Sequence, residues 1–207
     1  MTMTGRATAL DSTVPQQGDA GSVLVRADRG ISEAHVAASN DASGQFFSER
    51  ADAVARACHA MARRFQRGGR LIAYGEGAQR SDVAHVVVEF VHPVIVGKRA
   101  LPAMALPEME SCAALESLGH SDDILMLFCA GTPGPRVAAL LLHARECGML
   151  ALVLTGERSS AGDVDGLEFH FAVPSADALV VQETHEMLYH VLWELVHVFL
   201  DHRGGDG

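Results

Sequence analysis

Two stretches of this sequence place imidazole and carboxylate groups at helical spacing on otherwise apolar surfaces. In Ser81-Asp-Val-Ala-His-Val-Val-Val-Glu-Phe-Val-His92, the polar residues Asp82, His85, Glu89 and His92 recur every three or four positions. Val86, Val87, Val88, Phe90 and Val91 fill the other sides. At about 100° per residue the four polar groups share an arc of roughly 80°. In the second stretch, Val181 to Leu200, Gln182, Glu186 and His190 share one arc opposite Met187, Leu188, Val191, Leu192, Leu195 and Val198. Neither stripe contains a Lys or an Arg. An imidazole and a carboxylate at i,i+4 can hold one divalent metal ion or exchange one proton with a bound molecule. The competing reading is an ordinary amphipathic helix with its polar face in water, and for His190 a satisfied core histidine.

Elements that would carry these stripes follow from periodicity and punctuation. Residues 1–30 lack periodicity and read as a disordered tail. A short helix is expected over 31–40 and a longer one over 48–66, with Ser48 as N-cap and Gly68-Gly69 as its stop. Ala53, Val54, Ala57, Met61 and Phe65 form the apolar stripe of the longer helix. Apolar runs at 71–74, 100–106, 123–129, 149–154 and 167–173 read as strands, with helices between them over 81–92, 108–118 and 136–147. Asp177 caps the final helix. Strands alternating with helices imply a parallel sheet covered on both faces, hence an α/β fold.

Composition narrows the classes. A chain of 207 residues with 48% hydrophobic and 5% aromatic residues suits one α/β domain plus an extension. The net charge of −10 argues against a nucleic-acid partner, because phosphate repulsion is not offset. Residues 1–30 contain no signal-peptide core and no apolar run approaches the roughly 18–20 residues of a membrane span, so a cytoplasmic location and no membrane partner are expected. Cys58, Cys112, Cys129 and Cys147 form no CxxC pair and read as small buried hydrophobes. Lys98 is the sole lysine, so a lysine is available to a phosphate at one position only. Trp193 reads as core or subunit packing, and the remaining histidines as packing or surface groups.

The order of these elements resembles the SIS (sugar isomerase) domain, and within it the phosphoheptose isomerase branch with its DnaA-initiator-associating relatives. The resemblance covers residues 31–203. It rests on Gly75-x-Gly77, Asp82-x-x-His85-x-x-x-Glu89, Leu154-Thr-Gly156, Val173-Pro-Ser and Gln182-Glu-x-His185 with His190. It implies a single three-layer domain, N-terminal helices used for association, and a homo-oligomer, dimer or tetramer. It further implies Glu89 and His190 as the acid–base pair of an aldose–ketose isomerisation, and His85, Glu89, Gln182 and His190 as ligands of zinc or another divalent ion. The substrate would be a sugar phosphate such as sedoheptulose 7-phosphate. Gly75, Glu76, Gly77, Gln79 and Thr132 would form its binding turns. His185 would stand behind the ligands or simply lie in solvent, and Glu186 is a candidate extra ligand with an ordinary polar-face role as its rival.

The chain departs from that family at the phosphate cradle. A turn that typically reads Ser-Thr-Ser-Gly-Asn-Ser is here Cys129-Ala-Gly-Thr-Pro-Gly134, which leaves one hydroxyl, Thr132. Pro133 and Pro135 also remove two backbone donors. Upstream, Gly-Asn-Gly-Gly-Ser becomes Gly75-Glu-Gly-Ala-Gln79, which puts the carboxylate of Glu76 where a dianion would sit. Each lost charge-assisted bond removes about 1.5–3 kcal/mol. A non-catalytic, metal-binding accessory protein with a protein partner is therefore the alternative, and a regulator that reads an uncharged or amino sugar through Gln79 and Glu76 a third.

Overall fold

The computed structural model describes residues 18–93, 95–157 and 167–202. The chain divides into two units, Met1–Ala37 and Ala38–Gly207, and the sheet, the core and the site residues all belong to the second. In chain order the elements are α1 (Gly18–Gln66), β1 (Leu71–Gly75), α2 (Arg80–Val91), β2 (Ala103–Ala105), α3 (Ser111–Leu118), β3 (Ile124–Phe128), α4 (Pro135–Glu146), β4 (Leu150–Thr155), β5 (Phe169–Ala172) and α5 (Ala178–His202). A single 3₁₀ turn, Gly77–Gln79, joins β1 to α2.

The five strands are parallel in the order β2-β1-β3-β4-β5. Alternation along each strand sends side chains to opposite faces. Leu71, Ala73, Ile124, Met126, Phe128, Leu152 and Leu154 join one buried cluster with residues of α1, α2 and α5. Ile72, Tyr74, Leu125, Leu127 and Val153 join a second with residues of α3 and α4. The fold is thus a three-layer α/β/α domain, as the alternation of strands and helices implies. Trp193 lies in the first cluster, 4% exposed, and packs on His197.

Helix α1 differs from expectation. The two helices anticipated over 31–40 and 48–66 are one, because nothing between them breaks the ladder. Ser43 bonds back to the carbonyls of Ser39 and Asn40, and Ser48 donates to the Gln45 carbonyl rather than capping a new start. Of the stretch read as a disordered tail, residues 1–17 lie outside the described residues, and Gly18 to Gly30 open α1. The helix stops where expected. Gly68 takes φ +89, and the amides of Gly68 and Gly69 close onto the carbonyls of Phe65 and Arg64. The strand expected over 100–106 contracts to Ala103–Ala105, at the edge of the sheet beside β1.

Asp123 ties the start of β3 to its neighbours. Its carboxylate accepts from the Arg70 amide and guanidinium and from the His120 amide. At the other end of the chain, Asp177 caps α5 by accepting from the Leu179 amide at 2.9 Å.

Candidate active site at the switch point of the sheet

In this strand order the chain leaves β1 toward one edge through β2 and returns on the other side at β3. Crevices outside the carboxyl ends of such diverging strands are where open α/β sheets bind ligands. Here the crevice is a cavity of about 140 Å³ lined by Glu76, Gln79, Phe128, Cys129, Ala130, Gly131, Thr132, Gly134 and Val137. Glu76 and Gln79 from the turn after β1 therefore meet Thr132 from the loop after β3. Gly75 and Gly77 serve the backbone instead. A Cβ on Gly75 would come within 2.9 Å of the Gln79 Cβ, and Gly77 takes φ +58.

Glu76 is not a bare carboxylate. Its Oε1 accepts from the Tyr74 hydroxyl and from Arg136 Nη1, each at 2.8 Å, and Arg136 also reaches the Tyr74 oxygen at 3.2 Å. Arg136 is the second residue of α4, directly after Pro135. A cation in the first turn opposes the helix dipole, and that misplaced charge is the signal in the sequence that it has a partner. Lys98 takes no part here, since it pairs with Asp201 at 2.7 Å.

Beside the cavity, α2 packs on α5 and brings the two polar stripes together. The His85 and His190 rings lie 5.1 Å apart. His85 Nε2 is 3.3 Å from Glu89 Oε1, and on the other side Nδ1 is 2.8 Å from the Tyr189 hydroxyl and 3.5 Å from Glu186 Oε1. Ligand atoms of His85, Glu186 and His190 all fall within 4.8 Å of one another. Gln182 donates its Nε2 to Ser81 Oγ at 2.9 Å and also bonds Asp82. His92 lies exposed at the C-terminal end of α2.

Asp82 is 2% exposed, and its Oδ2 has no hydrogen-bond partner among the described residues. Burial, aided by Glu186, pushes its carboxyl up to about 6 against the bond from Gln182. Burial and then the carboxylates of Glu186, Asp82 and Glu89 push the Tyr189 phenol up, so it stays protonated. Nitrogen and oxygen donors of His85, Glu186 and His190 within 4.8 Å of one another fit a divalent cation of the zinc type. Glu186, a candidate extra ligand by its spacing, joins this cluster, and Tyr189 enters it without having been marked as a member. An acid four residues before His190 is a visible signal, but a tyrosine on an apolar arc is not.

His185 lies behind the cluster, fully buried, with Nε2 3.3 Å from the Thr155 carbonyl, and burial lowers it to about 4. It is neutral near pH 7. Phe128 joins the two halves of the site, lining the cavity while its ring packs 6.0 Å from Tyr189. The thiols of Cys58 and Cys129 are pushed up to about 12 by burial, as inert core groups are.

Comparison with known proteins gives this arrangement its family. The phosphoheptose isomerase of Desulfovibrio desulfuricans is 31% identical over 172 residues, covering 75% of this chain and 80% of the relative. The chain belongs to the phosphoheptose isomerase family. The enzyme of that name from Thermodesulfovibrio yellowstonii is 28% identical over 167 residues, 73% of this chain and 83% of its own. Among solved structures, the phosphoheptose isomerase of Neisseria gonorrhoeae superimposes with a TM-score of 0.72 at 19% identity, covering 81% of this chain and 97% of that one, and shares its SIS fold. No protein-family model matches the chain. Among the described residues, no helix is long and apolar enough to cross a membrane.

Proposed function

We propose that the protein is a sugar-phosphate isomerase of the phosphoheptose isomerase type, interconverting an aldose and a ketose such as sedoheptulose 7-phosphate. The observation that carries this reading is the convergence of His85, Glu89, Glu186 and His190 from α2 and α5 beside the switch-point cavity. Glu89 is the base that moves a proton between C1 and C2, and His190 serves the oxygen, which is the division of labour a carboxylate and an imidazole support near neutral pH. His85, Glu89, Gln182 and His190 are the ligand set for a divalent ion, zinc by its donor chemistry, with Glu186 close enough to join them. When bound, the ion supplies Lewis-acid polarisation of the substrate oxygens. Phe128 and Cys129 exclude water from the far side of the cavity.

The phosphate end of the substrate is held at residues 129–134 by Thr132, Gln79 and the amides at the start of α4, with Arg136, shared with Glu76, supplying donors in place of the missing hydroxyls. The working form is a cytoplasmic homo-oligomer, dimer or tetramer, built through the N-terminal helix. Ile31 and Val36 on α1 are 70% and 56% exposed, which supports such a use.

A coupled assay with sedoheptulose 7-phosphate and other ketose phosphates tests the activity. Turnover that falls by at least about 10²-fold in Glu89→Gln, with circular dichroism unchanged, is the expected result. Metal bound at one ion per chain without turnover of any ketose phosphate would replace this reading with the accessory one.

A further inference from the structure

At the opposite end of the sheet, α1 presents a concentration of positive charge. Arg56, His59, Arg63, Arg64 and Arg67 line, with Glu168 and Leu150, an open cavity of about 570 Å³. Leu150 opens β4 and Glu168 precedes β5, so this cavity sits at the amino ends of the strands, away from Glu76 and Thr132. Four of the chain's 16 Lys and Arg residues gather here although its net charge is −10.

The fold uses only part of this charge. Arg64 donates to the carbonyls of Ser121 and Gly148, and Arg67 pairs with Asp122. Arg56 and Arg63 are exposed, stand seven residues apart on the same helix, and have no ion-pair partner among the described residues. Seven residues are about two helical turns, so both side chains lie over one face and flank His59. The His59 ring packs on Phe199 with centroids 5.5 Å apart, which places it as part of the wall. Burial and then the neighbouring charge of Arg67 lower the Arg64 guanidinium, a sign of crowding that an anion relieves.

We propose that this cavity is a second ligand site, separate from the switch-point site, that takes a small diphosphate. Guanidinium groups recognise phosphate oxygens in pairs, and two unpaired arginines on one wall suit two adjacent phosphoryl groups better than one. The volume lies in the range of small-molecule sites and exceeds what a lone phosphate fills. Glu168, the single acid of the lining among the described residues, offers an acceptor to the hydroxyl groups that an organic diphosphate carries. The concave form favours a small molecule over an acidic peptide, which needs an extended track.

Calorimetric titration of the full chain with inorganic pyrophosphate and with ADP, free of divalent ions, tests the site. One molecule per chain is expected at this site, beyond any bound at the switch-point cavity, more weakly as salt rises. The double variant Arg56→Gln/Arg63→Gln is expected to cut the affinity about tenfold or more while leaving the thermal midpoint of the free protein unchanged. Glu89→Gln and Arg136→Gln are expected to leave it as it is. No binding of either probe, binding untouched by the double variant, or binding lost in Arg136→Gln would each overturn the proposal, as would a poly-glutamate peptide that binds through Arg56 and Arg63 where the diphosphates do not.

Discussion

At the scale of single residues, the site is governed by which partner each charge finds. His85 stands between Glu89 on one nitrogen and Tyr189 with Glu186 on the other, so its ring plane is held from both sides. Partners of this kind set the tautomer and basicity of a ligating histidine. Glu186→Gln and Tyr189→Phe are each expected to weaken zinc binding by about 10–100-fold, read by competition with a chromogenic chelator, with little change in the melting of the metal-free protein. Glu76 poses the complementary case. Its carboxylate shares the cavity with any anion but is paired to Arg136. Glu76→Gln frees that guanidinium, and affinity for inorganic phosphate is expected to rise several-fold by calorimetry. Unchanged affinity would mean that Arg136 does not serve the anion. The spacing of His85 and Glu89 was readable in the chain itself. The partnership of Glu76 with Arg136 was not, because sixty positions separate them and only the fold closes the gap.

At the scale of elements, close packing at the strand ends fixes where the loops go. A Cβ on Gly156 would lie 2.6 Å from the Ala130 carbonyl and 3.2 Å from the Ser175 carbonyl, so the turns after β3, β4 and β5 interlock there. Gly156→Ala is expected to destabilise the domain by about 1–3 kcal/mol, measured by urea denaturation, since neither backbone oxygen can swing aside. Asp123 is the matching device at the other end. Burial pushes its carboxyl up, but the Arg70 side chain and the amides of Arg70 and His120 outweigh that and hold it below the ordinary range. A carboxyl with a depressed folded-state pKa stabilises the protein fully above its unfolded value of about 3.9. That contribution is lost as pH falls through the folded pKa. Asp123→Asn should therefore lower the melting temperature near neutrality and narrow its gap to the parent protein in strong acid, as followed by circular dichroism. The strands were legible as apolar runs and their ends only approximately, because Ala100 to Pro102 are as apolar as the edge strand they precede. The merging of the two expected helices into α1 escaped pattern reading, since the hydroxyls of Ser43 and Ser48 serve a continuing helix as well as a cap.

At the scale of the whole molecule, the chain divides into two units, with the site residues in the second. The core cluster that includes α1 begins at Phe46, and Ala38–Gly207 is a compact unit of its own. Removal of residues 1–37 is expected to leave a folded domain with a thermal midpoint within a few degrees of the parent, and a smaller assembly by light scattering. A truncated protein that keeps its full assembled mass would move the association surface to the second unit. Charge is also distributed on this scale, with an acidic chain that nonetheless gathers arginines at the amino ends of its sheet.

The amino-acid sequence alone determined the layered α/β architecture, since continuous apolar runs and period-3.6 apolar stripes are local and survive without knowing any neighbour. It also determined the family, through short motifs whose residues lie close together along the chain. Tertiary structure decided what no local pattern carries: that α2 and α5 lie side by side so that His85 meets Tyr189, Glu186 and His190, and that Glu76 is neutralised by an arginine on another helix. Those pairings depend on strand order and helix packing, which are set by the sum of many buried contacts rather than by any one stretch of residues.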